Sequence, residues 1–150
     1  MKSLFLASLL FAVTLSADYK AGEKVPPITL PDQFGKEVTL RSDDTTLIMA
    51  FEKDASVGVN EYLKTKPSAF LAEHHTKYIS DISAMPTIIT KLFALPKMKD
   101  YPFSLMLIYD DFGKQFNREK GKITVFQLRQ GMIQSIGFIS DKELPSLFAE

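Results

Sequence analysis

The chain has 150 residues, 18 basic and 18 acidic side chains, and a formal net charge of zero. That balance gives no electrostatic basis for binding nucleic acid or an anionic membrane. No cysteine is present, which excludes disulfides, thiolate nucleophiles and thiolate metal sites. The length suits one domain with a sizeable core.

The first residues read as an export signal. Met1-Lys2 is a short basic start, and Leu4 to Leu15 is an almost unbroken apolar run. That run is too short to span a bilayer as a mature helix. Ser16-Ala17 supplies small residues before the polar Asp18-Tyr19-Lys20. The layout is that of a secretory signal peptide over 1–17, cut after Ala17. The expectation is a periplasmic protein of residues 18–150 with no transmembrane segment. The usual lipoprotein route needs a cysteine, and there is none.

Pro26-Pro27 excludes a helix or central strand at that point. The text from Ile28 to Leu40 reads as a hairpin, with Asp32 to Gly35 as its turn and Gly35 free to take positive φ. Thr45 to Phe51 is a continuous apolar run, the mark of a central strand covered on both faces. It ends in the charged turn Glu52-Lys53-Asp54, and Ala55-Ser56-Val57-Gly58 opens a helix. The helix runs through Asn60 to His75, broken or kinked at Pro67. Lys77 to Ile82 is a short strand. Pro86 to Phe93 is a second helix, with Ile88, Ile89, Leu92 and Phe93 at helical spacing. Pro96 ends or bends it. Tyr101 to Asp111 is the second strongly buried strand. Lys122 to Leu128 and Met132 to Ile139 form a hairpin, and Ser140 or Asp141 caps a last helix with Leu144, Leu147 and Phe148 facing inward.

Gly22, Pro27, Leu30, Asp32, Gly35, Val38 and Leu40 stand at the spacing of the N-terminal hairpin of peroxiredoxin-like members of the thioredoxin superfamily, and the buried strand Thr46–Phe51 follows as it does there. The chain resembles that superfamily over nearly all of residues 18–150. The resemblance implies an α/β thioredoxin-like three-layer sandwich, with a central mixed sheet and an N-terminal β-hairpin extension. Its element order is hairpin, β, α, β, α, β, β, α. In such folds the reactive cysteines follow the first buried strand, and here that turn, Glu52 to Gly58, is empty of them. The strand after the second helix begins just after a cis proline packed on the reactive turn. Pro102 matches that position, so a cis Pro102 is expected.

Each candidate for chemistry has a plainer reading beside it. Ser56 stands near Glu52 and Asp54 but has no histidine in sequence reach, so the turn is read as redox-dead, with no catalytic residue. His74 and His75 project about 100° apart on a helix, a poor start for one metal. They are read as end-of-helix residues near free carbonyls. Met49 and Met106 belong to the core, while Met85 and Met98 flank the second helix. No glycine motif supports a nucleotide. No cofactor and no metal is expected.

The expected use is non-catalytic: holding a polypeptide or another envelope protein. The route is β-augmentation in a groove made by Ala55, Ser56 and Val57 on one side and Tyr101, Pro102 and Phe103 on the other. The alternative is a small-ligand or ion-binding protein, or a cysteine-independent enzyme, using Glu52, Asp54, Asp110 and Asp111 at the sheet end. A structural part of an envelope assembly is a third reading, marked by an exposed apolar patch.

Overall fold

The computed structural model describes residues 18–149. The proposed signal peptide lies outside the described residues.

Strand formation starts where the sequence is most apolar. β3 (Thr46–Ala50) is buried at every position. Its side chains alternate: Ile48 and Ala50 join one core cluster, Leu47 and Met49 the other. A strand with two apolar faces needs a layer on each. Full burial of each large side chain contributes roughly 1.5–3 kcal/mol, so β3 anchors both layers.

β3 is the centre of a five-stranded sheet of order β5-β4-β3-β6-β7. β4 (Thr76–Asp81) pairs parallel with β3, and β5 (Met106–Ile108) parallel with β4. β6 (Ile123–Arg129) runs antiparallel to β3, and β7 (Met132–Ile139) antiparallel to β6. The β6–β7 turn is two residues, Gln130 at φ 50° and Gly131 at φ 78°. Two positive φ values in succession give a turn whose twist matches the strands it joins. β1 (Thr29–Pro31) and β2 (Glu37–Thr39) form a separate antiparallel hairpin. Its turn is as expected, with Gly35 at φ 78°.

One face of the sheet carries helices. α1 (Lys53–Lys64) buries Ala55, Val59 and Leu63 against Ile48 and Tyr78. α2 (Phe70–Glu73) is the separate piece expected beyond Pro67. The chain end packs there too. Ser140 and Glu143 form a reciprocal capping box around a 3₁₀ turn, Asp141–Glu143, and α5 (Leu144–Leu147) buries Leu144. The opposite face is covered by the β1–β2 hairpin, by Val25 and Ile28, and by Phe112 and Phe116 in and after a 3₁₀ turn, Asp111–Gln115. The result is the three-layer α/β arrangement expected from the sequence.

Two expectations are corrected. The helix expected over Pro86 to Phe93, ended or bent at Pro96, runs to residue 98: α3 (Thr87–Ile89), a π-helical stretch Thr90–Ala94, then α4 (Leu95–Met98). Proline has no N–H and its ring crowds the carbonyl four residues back. The wide turn, in which the Leu95 N–H donates to the Thr90 carbonyl, lets the helix pass the proline. Three of its apolar residues face outward: Ile88, Leu92 and Phe93 are 64%, 61% and 65% exposed. Thr90 and Met98 are the buried residues of this helix.

The second correction concerns Pro102. All peptide bonds of the described residues are trans. The long strand expected over 101–111 shrinks to three residues, parallel to β4 at the sheet's edge. The strand lying antiparallel to β3 and starting beside its end is β6, one strand later than the expected order of elements allowed. The segment set against the β3–α1 turn is therefore the one before β6. There the Gly121 N–H donates to a Glu52 carboxylate oxygen, and no proline is present.

Candidate functional site

The ends of β3 and β4, the first turns of α1 and the 87–98 helix enclose a groove of about 700 Å³. It forms because two parallel crossovers leave a gap. α1 follows β3 and the 87–98 helix follows β4, and residues of both line the groove. Its walls are apolar: Phe51 and Val57 on the α1 side, Met85, Ile89 and Phe93 on the other. Ile82, Met98 and Tyr101 close its end and floor.

The floor also carries a small polar network. Ser56 Oγ lies 3.0 Å from Ser80 Oγ, and the Tyr78 hydroxyl donates to Asn60 Oδ1 at 3.1 Å. Burial pushes the Tyr78 phenol well above its ordinary value, against the weaker opposing pull of its Ser56 and Ser80 neighbours. It therefore stays a neutral donor. Asn60 is 7% exposed and lines the groove. These groups hydrogen-bond; without an adjacent base they do not make a nucleophile.

Of the six residues read from sequence as a groove, the structure brings three to it: Ser56, Val57 and Tyr101. Ala55 and Phe103 are core residues, 5% exposed each. Pro102 is exposed but does not line the groove. Strand addition at Phe103 would compete with its neighbour in space, Gln33. The Gln33 side-chain N–H donates to the Phe103 carbonyl at 2.7 Å, and the Leu105 N–H donates to Gln33 Oε1 at 3.1 Å. Two backbone groups that an added strand could use are already engaged.

The four carboxylates of the alternative site do not come together. Glu52 accepts from Gly121. Asp110 caps the following 3₁₀ turn through Phe112 N–H at 3.0 Å, and Asp111 pairs with Lys114 at 3.0 Å. Asp54 is exposed in the first turn of α1. Among the described residues no group of three or more histidines and carboxylates is placed to hold a metal ion. His74 Nδ1 is 2.8 Å from the Phe70 carbonyl at the end of α2, and His75 turns away towards Asp43. Met49 and Met106 are buried in the core as read.

Sequence reasoning missed Asn60, Ser80, Ile82 and Phe93 as groove residues. A polar residue on the buried stripe of α1, and a serine inside a buried strand, were the available signals. The outward turn of Phe93 had none.

No protein-family model matches the chain, and no curated protein matches it in sequence. Solved structures match it in fold. Peroxidoxin BcpB from Mycobacterium tuberculosis aligns with a TM-score of 0.55 at 17% identity, over 85% of this chain and 92% of that one. The thioredoxin domain of thiol-disulfide oxidoreductase BVU-2223 from Bacteroides vulgatus gives 0.56 at 16%, over 87% and 97%. A putative thiol:disulfide interchange protein DsbE from Chlorobium tepidum gives 0.57 at 14%, over 87% and 94%. The fold is thioredoxin-like, and this chain carries it without a cysteine.

Proposed function

We propose that this is an exported, non-redox thioredoxin-like protein that holds a polypeptide segment in the groove between α1 and the 87–98 helix. The observation that carries the reading is the outward face of that helix. Ile88, Leu92 and Phe93 are each more than half exposed, beside a groove whose walls are apolar. Clustered exposed apolar side chains beside a concavity are a common mark of a protein interaction site. Thiol exchange and peroxide reduction need a thiolate, which these residues lack. The binding mode is side-chain docking rather than strand addition, since Gln33 occupies the backbone groups at Phe103. Export rests on the Met1–Ala17 pattern.

A photo-crosslinking residue in place of Val57, with the protein expressed in its own host, tests the reading. The expected product is a discrete polypeptide adduct in the envelope fraction. The same residue in place of Met132, at the opposite end of the sheet, should give none. Equal adducts at both positions, or none at Val57, would defeat the reading. N-terminal sequencing of the envelope protein tests export, and the expected first residue is Asp18.

A further inference from the structure

We propose that β7 pairs with the β7 of a second copy of this chain, antiparallel and centred on Gly137, so that two five-stranded sheets join into one. No residue of β7 lines the groove, so this contact is separate from the site described above.

β7 is the last strand of the sheet, and one of its sides has no strand beside it. The N-terminal segment covers only its start. The Gly22 N–H donates to the Ile133 carbonyl at 2.8 Å, the Ile133 N–H donates to the Glu23 carbonyl at 2.9 Å, and Lys24 bridges to Met132. Beyond Ile133 no backbone group among the described residues reaches that side. The free stretch is Ser135–Ile139, and it ends where Ser140 enters its capping box. Exposed strand edges are commonly blunted by a charge, a proline or a bulge. Met132–Ile139 has no charged residue and no proline. Its one register shift, opposite Gln127 and Leu128, falls before the free stretch.

The register fixes which groups point outward. The Leu128 N–H donates to the Thr45 carbonyl at 2.8 Å, so Leu128 faces the β3 side. By alternation Gln127, Val125 and Ile123 face β7, where their partners are Ser135, Gly137 and Ile139. The backbone groups of Ile136 and Phe138 therefore point away from the sheet. A two-fold axis at Gly137 sets Ile136 against the second copy's Phe138, and Phe138 against its Ile136. About four hydrogen bonds then use every outward donor and acceptor of the stretch. The same axis makes two aromatic and β-branched cross-strand pairs, a favourable combination. Gly137 meets its own copy at the non-hydrogen-bonded position, where paired strands come closest. Any extended chain could supply hydrogen bonds. This stretch is its own complement in spacing, side-chain order and lack of charge, which singles out a second copy.

The test is sedimentation velocity on the purified protein. The mass is expected to double as concentration rises from about 10 µM to about 1 mM, the weak range that suits a small interface. A Cβ at Gly137 meets nothing within 4 Å, so Gly137→Lys and Gly137→Glu should fold, with circular dichroism unchanged. Each places like charges directly opposite across the axis, and at low salt each should raise the dissociation constant about fivefold. An equimolar mixture of the two should dimerise at least as well as the parent, because opposite charges then face each other. Phe93→Ser should leave the dimer unchanged. A monomer at every concentration would overturn the proposal. So would a dimer that Gly137→Lys leaves intact, and one lost in Phe93→Ser would place the contact on the 87–98 helix instead.

Discussion

The Gln33 side chain donates to the Phe103 carbonyl at 2.7 Å, joining the turn of the N-terminal hairpin to the stretch that leads into β5. The contact spans 70 positions of sequence. Gln33 also reaches the Met98 carbonyl at 3.3 Å and accepts from the Leu105 N–H. One buried amide therefore fixes the end of the 87–98 helix, the turn after it and the start of the edge strand.

Removing that amide should cost stability rather than binding chemistry. Gln33→Leu leaves the Phe103 carbonyl and the Leu105 N–H buried without partners. At about 1–3 kcal/mol for each stranded group, a loss of about 2–4 kcal/mol in urea denaturation is expected. A loss under about 0.5 kcal/mol, the range of ordinary surface changes, would mean that water or another group takes over.

Gly58 sets two effects against each other. Alanine in a helix interior is better than glycine by about 1 kcal/mol. A Cβ at Gly58, however, would stand 2.7 Å from the Asp141 Cβ, near the backbone of the 3₁₀ turn packed on α1. Overpacking of this kind costs about 1–3 kcal/mol, so Gly58→Ala is expected to lower the melting temperature. In an Asp141→Gly background the obstacle is gone, and the same substitution should raise it. An increase in both backgrounds would refute the close approach.

The capping box predicts a pH dependence. Bonds from the Ser140 N–H and then its hydroxyl hold the Glu143 carboxyl below its ordinary value of 4.5. A carboxyl with a lower value folded than unfolded stabilises the fold above the unfolded value. That contribution is lost as pH falls through the folded one. The melting temperature of the parent should exceed that of Glu143→Gln at neutral pH, and the gap should close as pH falls below about 4.5. A gap that stays constant down to strongly acid pH would show that the charge of Glu143 plays no part.

The exposed helix face should behave unlike the core. Leu92→Ser and Phe93→Ser remove side chains that already meet solvent, so stability should shift by no more than about 0.5 kcal/mol. Capture of an apolar peptide should fall sharply. Leu63→Ala, at a position 1% exposed in α1, should instead cost about 2–5 kcal/mol. Paired denaturation and binding measurements separate the two classes. Marked unfolding by Phe93→Ser would mean that the residue is structural.

Much of the fold was legible in the residues. The run Thr46–Ala50, the glycine turn at Gly35, the hairpin around Gly131 and the Ser140 cap each carry a local signal that local geometry obeys. The absence of cysteine settles the loss of thiol chemistry with no structure at all. Tertiary structure decided which apolar residues face solvent and which strand borders the β3–α1 turn. Ile88, Leu92 and Phe93 have the spacing of a buried helix face, because periodicity reports that one face is apolar and not what covers it. Pro102 looked like a neighbour of the turn because sequence order was taken for spatial order. A parallel strand can add at the outer edge of a sheet, as β5 does beside β4, and leave the central place beside β3 to a later strand. The groove exists for the same reason: residues from the end of β3 and α1, from the end of β4, and from the 87–98 helix and Tyr101, distant in sequence, meet only in the folded chain.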